Sequence, residues 1–412
     1  MAGKMTKTAI ITTALTAPWV VMGDLGASLR RSSDTASSWM PANAPLAEGN
    51  YLTVPLRKMR ARHFVDTVAD QEKLYVAEVS VGHPGQAMSV LIDTSSGNVI
   101  LPHRACPSTA CSEHRRYSPW ESSSAIDVNF KGEAIESENR LVRGKHRREG
   151  MTLTYTQSDL GEGNATTVVV RDQLCLEKGE KCVDMGFLAA VQLDDKPFRA
   201  LPSDGILGLG LDGLVASPIC SFFSRLLEGS HSSLAPLFGL ALGPAGGELH
   251  LGGTDASKYQ GSLTWFPVDH ADQGFWQIPV QAVYLGEEVV DSCEKGCHAI
   301  IDTGVARLGV QEGRVPNLRN SLRSSCHTRG ALKFRLASSA DASDFTFFEV
   351  SADVYGDEAC EPLLGNLPLE EPDFVGVYTF GTSVLQRYYT AFDWGARRWG
   401  FAPLQQQQQI VV

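Results

Sequence analysis

The feature that most constrains this chain is an internal repeat. The run Tyr75–Gly82 leads to Ser89–Thr94, and Trp276–Val280 with Val283–Gly286 leads to His298–Thr303. In both halves a β-type run ending in glycine precedes an apolar run that delivers an Asp-Thr pair, Asp93-Thr94 or Asp302-Thr303, into a turn. Alternating and β-branched runs between turn residues predict strands. A repeat of this kind predicts two related lobes that face each other and bring the two aspartates together.

Paired aspartates carry a specific chemistry. Two carboxyls held close cannot both ionise, so they share one proton: one acts as base on a water while the other, as acid, polarises a carbonyl. Thr94 and Thr303 each follow an aspartate, where a hydroxyl can brace the opposite loop. The plainer alternative is a pair of strand-end Asp turns capped by threonine.

The surrounding texture agrees with a mostly β fold with short helices. Further β runs are Met88–Ile92, Val99–Leu101, Met151–Tyr155, Thr166–Val170 and Glu248–Leu251, whereas helical period is clearest over Ile219–Leu227. At 412 residues, 43% hydrophobic and 20% charged, the chain can build two lobes with proper cores, and disordered or collagen-like classes are excluded. The net charge of −11 divides into +5 over residues 1–63 and −16 over the rest, an acidic body that argues against nucleic-acid binding.

Cysteine usage places the chain outside a reducing compartment. Of nine cysteines, Cys106/Cys111, Cys175/Cys182 and Cys293/Cys297 are close pairs and Cys326/Cys360 a wider one, which reads as four disulfides with Cys220 as the spare thiol. The two-residue spacers usual for zinc are missing from these pairs, and neither a metal nor a cofactor is expected. Residues 1–27 read as a signal peptide, with Lys4 and Lys7 ahead of the apolar run Ala9–Val21 and then Gly26, Ala27 and Ser28. No other stretch is apolar enough to span a bilayer. Asn164-Ala165-Thr166 is a glycosylation sequon for an exported chain.

At this point the chain resembles the pepsin-like, two-lobed aspartic protease family, over nearly everything from Leu74 to Pro403. Cys106–His114 resembles the small disulfide loop after that family's first active-site turn, and Cys293–Asp302 the second loop running into the second turn. Asp204–Gly208 and Tyr378–Gly381 resemble the segments that pass behind the two catalytic loops; Leu251–Asp255 and Arg387–Asp393 resemble parts of the inter-lobe sheet and closing strands. The resemblance implies a catalytic pair Asp93 and Asp302, loop support from Thr94, Ser96, Thr303 and Gly304, and a flap carrying Tyr155, Thr156 and Gln157. It implies an aspartic endopeptidase acting on protein or peptide substrates, monomeric, secreted or held in an acidic endolysosomal or vacuolar compartment. The implied layout is a prosegment over 28–72, an N-terminal lobe over 73–255, a C-terminal lobe over 256–404 and a Gln-rich tail over 405–412.

The chain departs from that family in four places. Ile100 stands where pepsin has the tryptophan that holds the flap tyrosine, so the flap must be anchored otherwise. Ser95 replaces a glycine, keeping the backbone N–H that orients a carboxylate. Val305 replaces a hydroxyl residue, so Asp302 loses a donor that Ser96 can still offer Asp93. Thr379 is less apolar than the family's usual residue. Ser95 and Val305 are the features that favour the alternative function, a non-hydrolytic pepsin-fold module that grips peptides or proteins.

Three further readings complete the sequence. The basic stretch Leu52–Arg62 resembles a prosegment of an acid-activated zymogen, with Lys58 placed against the catalytic carboxylates and Arg57 as its alternative. The run Arg140–Arg148 reads as a solvated insertion before the flap. Gly208-Leu-Gly-Leu-Asp-Gly213 matches a dinucleotide fingerprint but lacks the strand and helix frame such a site needs.

Overall fold

The computed structural model describes residues 51–61, 73–136, 148–157, 160–177, 180–229, 233–311, 315–325, 330–337, 344–356, 361–367 and 376–405. The expected signal peptide, Cys326, Cys360 and all but the first residue of the Gln-rich tail lie outside them.

The described chain is mainly β, arranged as a 14-stranded and an 8-stranded sheet. This is the bilobal architecture the repeat predicts. In the first sheet the strand Lys73–Val81 pairs antiparallel with Gln86–Asp93, which runs parallel to Gly205–Gly208. In the second, Gln277–Leu285 pairs antiparallel with Cys297–Ile301, which runs parallel to Val377–Phe380. Each aspartate therefore leaves a central strand flanked on both sides, and such a strand is apolar because both its faces are covered.

The closing strands Tyr388–Asp393 and Arg398–Pro403 cross back into the first sheet, where Tyr388–Asp393 pairs with Leu237–Leu242. The two halves are thus tied together by a shared ladder. Beneath it Phe238 stacks on Phe392 at 4.6 Å, Trp276 meets Phe392 edge-on at 5.2 Å, and the Trp276 indole donates to the Leu209 carbonyl at 2.9 Å. Trp276 is wholly buried, and emptying such a site costs about 3–5 kcal/mol.

Two local readings are refined. Helix begins at Phe222, not Ile219, because Pro218–Cys220 forms a separate 3-10 turn and Ser221 caps the Phe222–Glu228 helix by accepting from the Ser224 N–H. Phe222, Phe223 and Leu226 form its buried face. Arg148 is not solvated: its side chain is 2% exposed and pairs with Asp127 at 2.6 Å. The rest of that basic run lies outside the described residues.

Three disulfides are present among the described residues, Cys106–Cys111, Cys175–Cys182 and Cys293–Cys297, and Cys220 is a buried free thiol. Closing loops this short stabilises by about 2 kcal/mol each on a chain-entropy account. No helix of the described residues is long and apolar enough to cross a membrane.

Candidate active site

The two Asp-Thr turns meet at the junction of the sheets. Thr94 Oγ1 donates to the Ile301 carbonyl and Thr303 Oγ1 to the Ile92 carbonyl, each at 2.7 Å. Each threonine hydroxyl also accepts the other's backbone N–H at 3.1 Å. These crossed bonds connect the strands that deliver the aspartates, so neither loop can shift without leaving buried polar groups unpaired.

Asp93 and Asp302 are 2% and 0% exposed. Ser95 N–H donates to Asp93 Oδ1 at 2.9 Å and, in the matching place, Gly304 N–H donates to Asp302 Oδ1 at 2.8 Å. A Cβ on Gly304 would sit 2.8 Å from Asp93 Oδ1 and 3.0 Å from Asp302 Oδ1, so both carboxylates crowd this residue and only glycine leaves them room. Gly208, behind the first loop, is equally constrained: a Cβ there would lie 2.5 Å from the Asn98 nitrogen and the Ser96 carbonyl oxygen. Gly208 belongs to loop packing, with no strand and helix frame around it.

Desolvation holds the Asp93 carboxyl above the ordinary aspartate range, although donors on Ser95 and Ser96 favour its charge. The expected donor Ser96 acts weakly. Its hydroxyl lies near enough to favour ionised Asp93 but makes no aligned hydrogen bond among the described residues. Val305 is 4% exposed and offers Asp302 no hydroxyl, as expected.

Ser95 does more than its backbone N–H suggested. Its Oγ lies 2.8 Å from Asp93 Oδ1 and 2.9 Å from Asp302 Oδ1, joining the two carboxylates through one hydroxyl. The sequence signal was a hydroxyl residue in place of a glycine between two loops that must touch.

The flap hairpin pairs Met151–Gln157 with Gly161–Thr167. Tyr155 is buried, packs edge-on against Phe198 at 5.2 Å and sits with Ile100 in one apolar cluster. Its hydroxyl has no hydrogen-bond partner among the described residues, and burial, with the charge of Asp93, pushes it well above an ordinary phenol. Phe198 thus does part of the work that the missing tryptophan leaves open. Gln157 supplies the rest, its Nε2 donating across to the Gly304 carbonyl. Thr156 Oγ1 donates to Glu162 within the hairpin at 3.1 Å.

Lys58 is a correction. It lies in the strand Leu52–Arg60, opposite Tyr75, and its ammonium donates to Gln386 Oε1 at 2.8 Å. The contact with a catalytic carboxylate is not made, because pairing of that strand between Gly247–Leu251 and Lys73–Val81 fixes where Lys58 points. Arg57, the alternative, pairs with Glu78 at the surface. Burial and the nearby Lys73 lower the Lys58 ammonium below its usual range. Asn164 is exposed on the flap hairpin, where its amide donates to Asp194 at 3.2 Å.

Groups with metal-ligand spacing occur elsewhere: Asp269, His270 and His298; Asp291, Cys293 and Cys297; Glu248, His250 and Asp255. Cys293 and Cys297 are bonded to each other, and none of the three groups includes Asp93 or Asp302.

The model of the eukaryotic aspartyl protease family matches residues 74–153 and 145–404 of this chain. Similar proteins include cathepsin E of Aquarana catesbeiana, 28% identical over 387 residues, covering 90% of this chain and 84% of that protein. Pepsin-2B of Gadus morhua is 29% identical over 351 residues, covering 81% and 97%, and pepsin A of Sus scrofa 27% over 343 residues, covering 80% and 81%.

Proposed function

This chain belongs to the eukaryotic aspartyl protease family, a family of hydrolases, and from that premise we propose that it is an endopeptidase whose catalytic pair is Asp93 and Asp302. The observation that most supports this pair is the meeting of two buried carboxylates across crossed threonine bonds. With one proton between them, the ionised member takes a proton from water as it attacks the scissile carbonyl, and the protonated member gives its proton to the carbonyl oxygen. The resulting tetrahedral intermediate collapses when the leaving nitrogen is protonated. Low dielectric around the pair strengthens each of these interactions.

Substrate enters as an extended strand beneath the Met151–Gln157 flap, using backbone pairing for affinity and side-chain pockets for choice. Gln157 must release the Gly304 carbonyl before a peptide can use that acceptor. A secretory or endolysosomal setting fits the three disulfides. Acid-triggered maturation, with a cut between Arg62 and Leu74, fits the opposite charges of leader and body, +5 and −16. Lys58 has no part in that reading.

The deciding experiment is cleavage of a denatured protein at pH 4, with and without pepstatin, by the wild type and by Asp93→Asn. Pepstatin-sensitive cleavage lost in Asp93→Asn is expected. A folded wild type that binds peptide without cutting it would establish the non-hydrolytic module instead.

A further inference from the structure

We infer that the Ser95 hydroxyl is a built-in bridge for the proton shared by Asp93 and Asp302, a positioning residue that widens the pH range over which the pair stays singly protonated. The inference rests on the endopeptidase reading and extends it to a residue outside the two aspartates.

The geometry sets the argument. Ser95 Oγ is within hydrogen-bond distance of one oxygen of each carboxylate, 2.8 Å from Asp93 and 2.9 Å from Asp302. A hydroxyl carries one proton and can accept through its lone pairs. Between two ionised carboxylates it satisfies only one, and its lone pairs face the other. Between two protonated carboxyls it can accept from both, but its own proton has no acceptor at the pair. Only the singly protonated pair satisfies every group: the carboxyl O–H donates to Oγ, and the Oγ–H donates to the carboxylate.

The same chain of bonds lets the two aspartates exchange roles. The carboxyl O–H breaks as its proton passes to Ser95 Oγ, and the serine O–H breaks as its proton passes to the other carboxylate. One bond forms for each that breaks, and the net charge of the trio is unchanged. The hydroxyl that Val305 does not supply to Asp302 is thereby supplied from the opposite loop.

No competing titration confuses this reading. The loops at 94–98 and 303–306 and the flanking segments Gly205–Gly208 and Val377–Phe380 bring no His, Lys, Arg or acid of their own to the pair. Tyr378, on the last of these, donates to Asp291. From the flap, Tyr155 is raised well above 10 and stays neutral throughout the acid range. Arg307, next along the chain, lines a cleft with Lys58, Lys73 and Gln386.

Ser95 has no left-handed backbone angle, so removing its hydroxyl need not disturb the turn. The test compares full pH profiles of kcat/KM for the wild type, Ser95→Ala and Ser95→Thr, with Asp93→Asn as the inactive control. In Ser95→Ala the acid limb should rise and the alkaline limb fall, each by about one pH unit, the size expected for a hydrogen bond to a charged group. Ser95→Thr should restore the width. Unchanged limbs, or two limbs moving in the same direction, would overturn the bridge while leaving the protease reading intact.

Aspartate 13Cγ shifts, titrated in wild type and Ser95→Ala, provide a readout that needs no turnover. The two apparent pKa values of the pair should lie closer together in the alanine variant, and equal separations would refute the bridge. Failure of the wild type to cleave would instead refute the endopeptidase reading, with the titration still deciding the role of Ser95.

Discussion

The two aspartate loops are copies in backbone and strangers in chemistry. Asp93-Thr94 and Asp302-Thr303 leave equivalent strands, make mirrored threonine bonds and receive equivalent N–H donors from Ser95 and Gly304. After that they diverge. The first loop continues with Ser95 and Ser96, the second with Gly304 and Val305. The backbone alone holds the carboxylates in place, so it is repeated faithfully; side-chain donors adjust their acidity, and one loop can provide them for both.

The sharpest test of that likeness is removal of either carboxyl. Asp93→Asn and Asp302→Asn should each lower kcat/KM by about 10³-fold or more, equally within tenfold, since both groups are needed in one step. Unequal losses would break the functional symmetry. Stability should move the other way for Asp93. Its folded pKa is raised from 3.8, so the folded state holds the extra proton and stability declines as pH rises through the window above that value. Asp93→Asn should therefore melt higher than wild type at neutral pH, with the gap closing in strong acid.

Crossed threonines should be interchangeable in stability. Thr94→Val and Thr303→Val each remove a hydroxyl that donates at 2.7 Å and accepts at 3.1 Å. Each should cost about 2–4 kcal/mol in urea unfolding, because a buried N–H and a buried carbonyl lose their partner together.

Behind the loops the lobes differ again. The Gly205–Gly208 strand is preceded by Asp204, whose buried carboxylate accepts from Ser89 N–H at 2.8 Å, Ser89 Oγ at 2.7 Å and Arg115 Nε at 2.7 Å. Its counterpart Val377–Phe380 is preceded by Gly376, whose N–H meets the neutral Gln311 amide at 2.9 Å. Burial by itself would raise Asp204, but the Ser89 and Arg115 donors outweigh it and depress its pKa. That stability is present above the ordinary aspartate value and is lost as pH falls through the depressed one. Asp204→Ala should cost about 2–3 kcal/mol, and hydrogen exchange at falling pH should open the first lobe before the second.

The smallest expected effect is Val305→Thr. A hydroxyl added beside Asp302 favours its charge, so the acid limb should move down by about half a pH unit at most.

Much of this was legible because strands that deliver a catalytic group must be apolar on both faces, and Ser89–Ile92 and Ala299–Ile301 announce themselves. The long hairpin Gly161–Glu177 and Glu180–Leu193 was read only over Thr166–Val170. Arg171, Asp172 and Gln173 interrupt its apolar pattern, yet Asp172 is buried and accepts from Tyr117 at 2.6 Å. The helix Val315–Ser325 was missed because, among its described side chains, only Leu318 and Leu322 face the core. Lys58 was misplaced for a related reason: a basic stretch shows its charge in sequence, but strand register decides where that charge points. Ser95 was noticed for its backbone, and its second bond became visible only when the opposite loop was beside it.

The strand Leu52–Arg60 has ladder partners on both sides, Leu52–Leu56 with Gly247–Leu251 and Arg57–Arg60 with Lys73–Val76. A peptide clipped downstream of it would still be knitted in by main-chain bonds along its length. Maturation should therefore be invisible to gel filtration and plain on a denaturing gel, where an N-terminal fragment travels apart from the body it copurifies with. Competition with a synthetic copy of residues 52–60, under mild urea, would show whether the native assembly keeps its own copy or exchanges it.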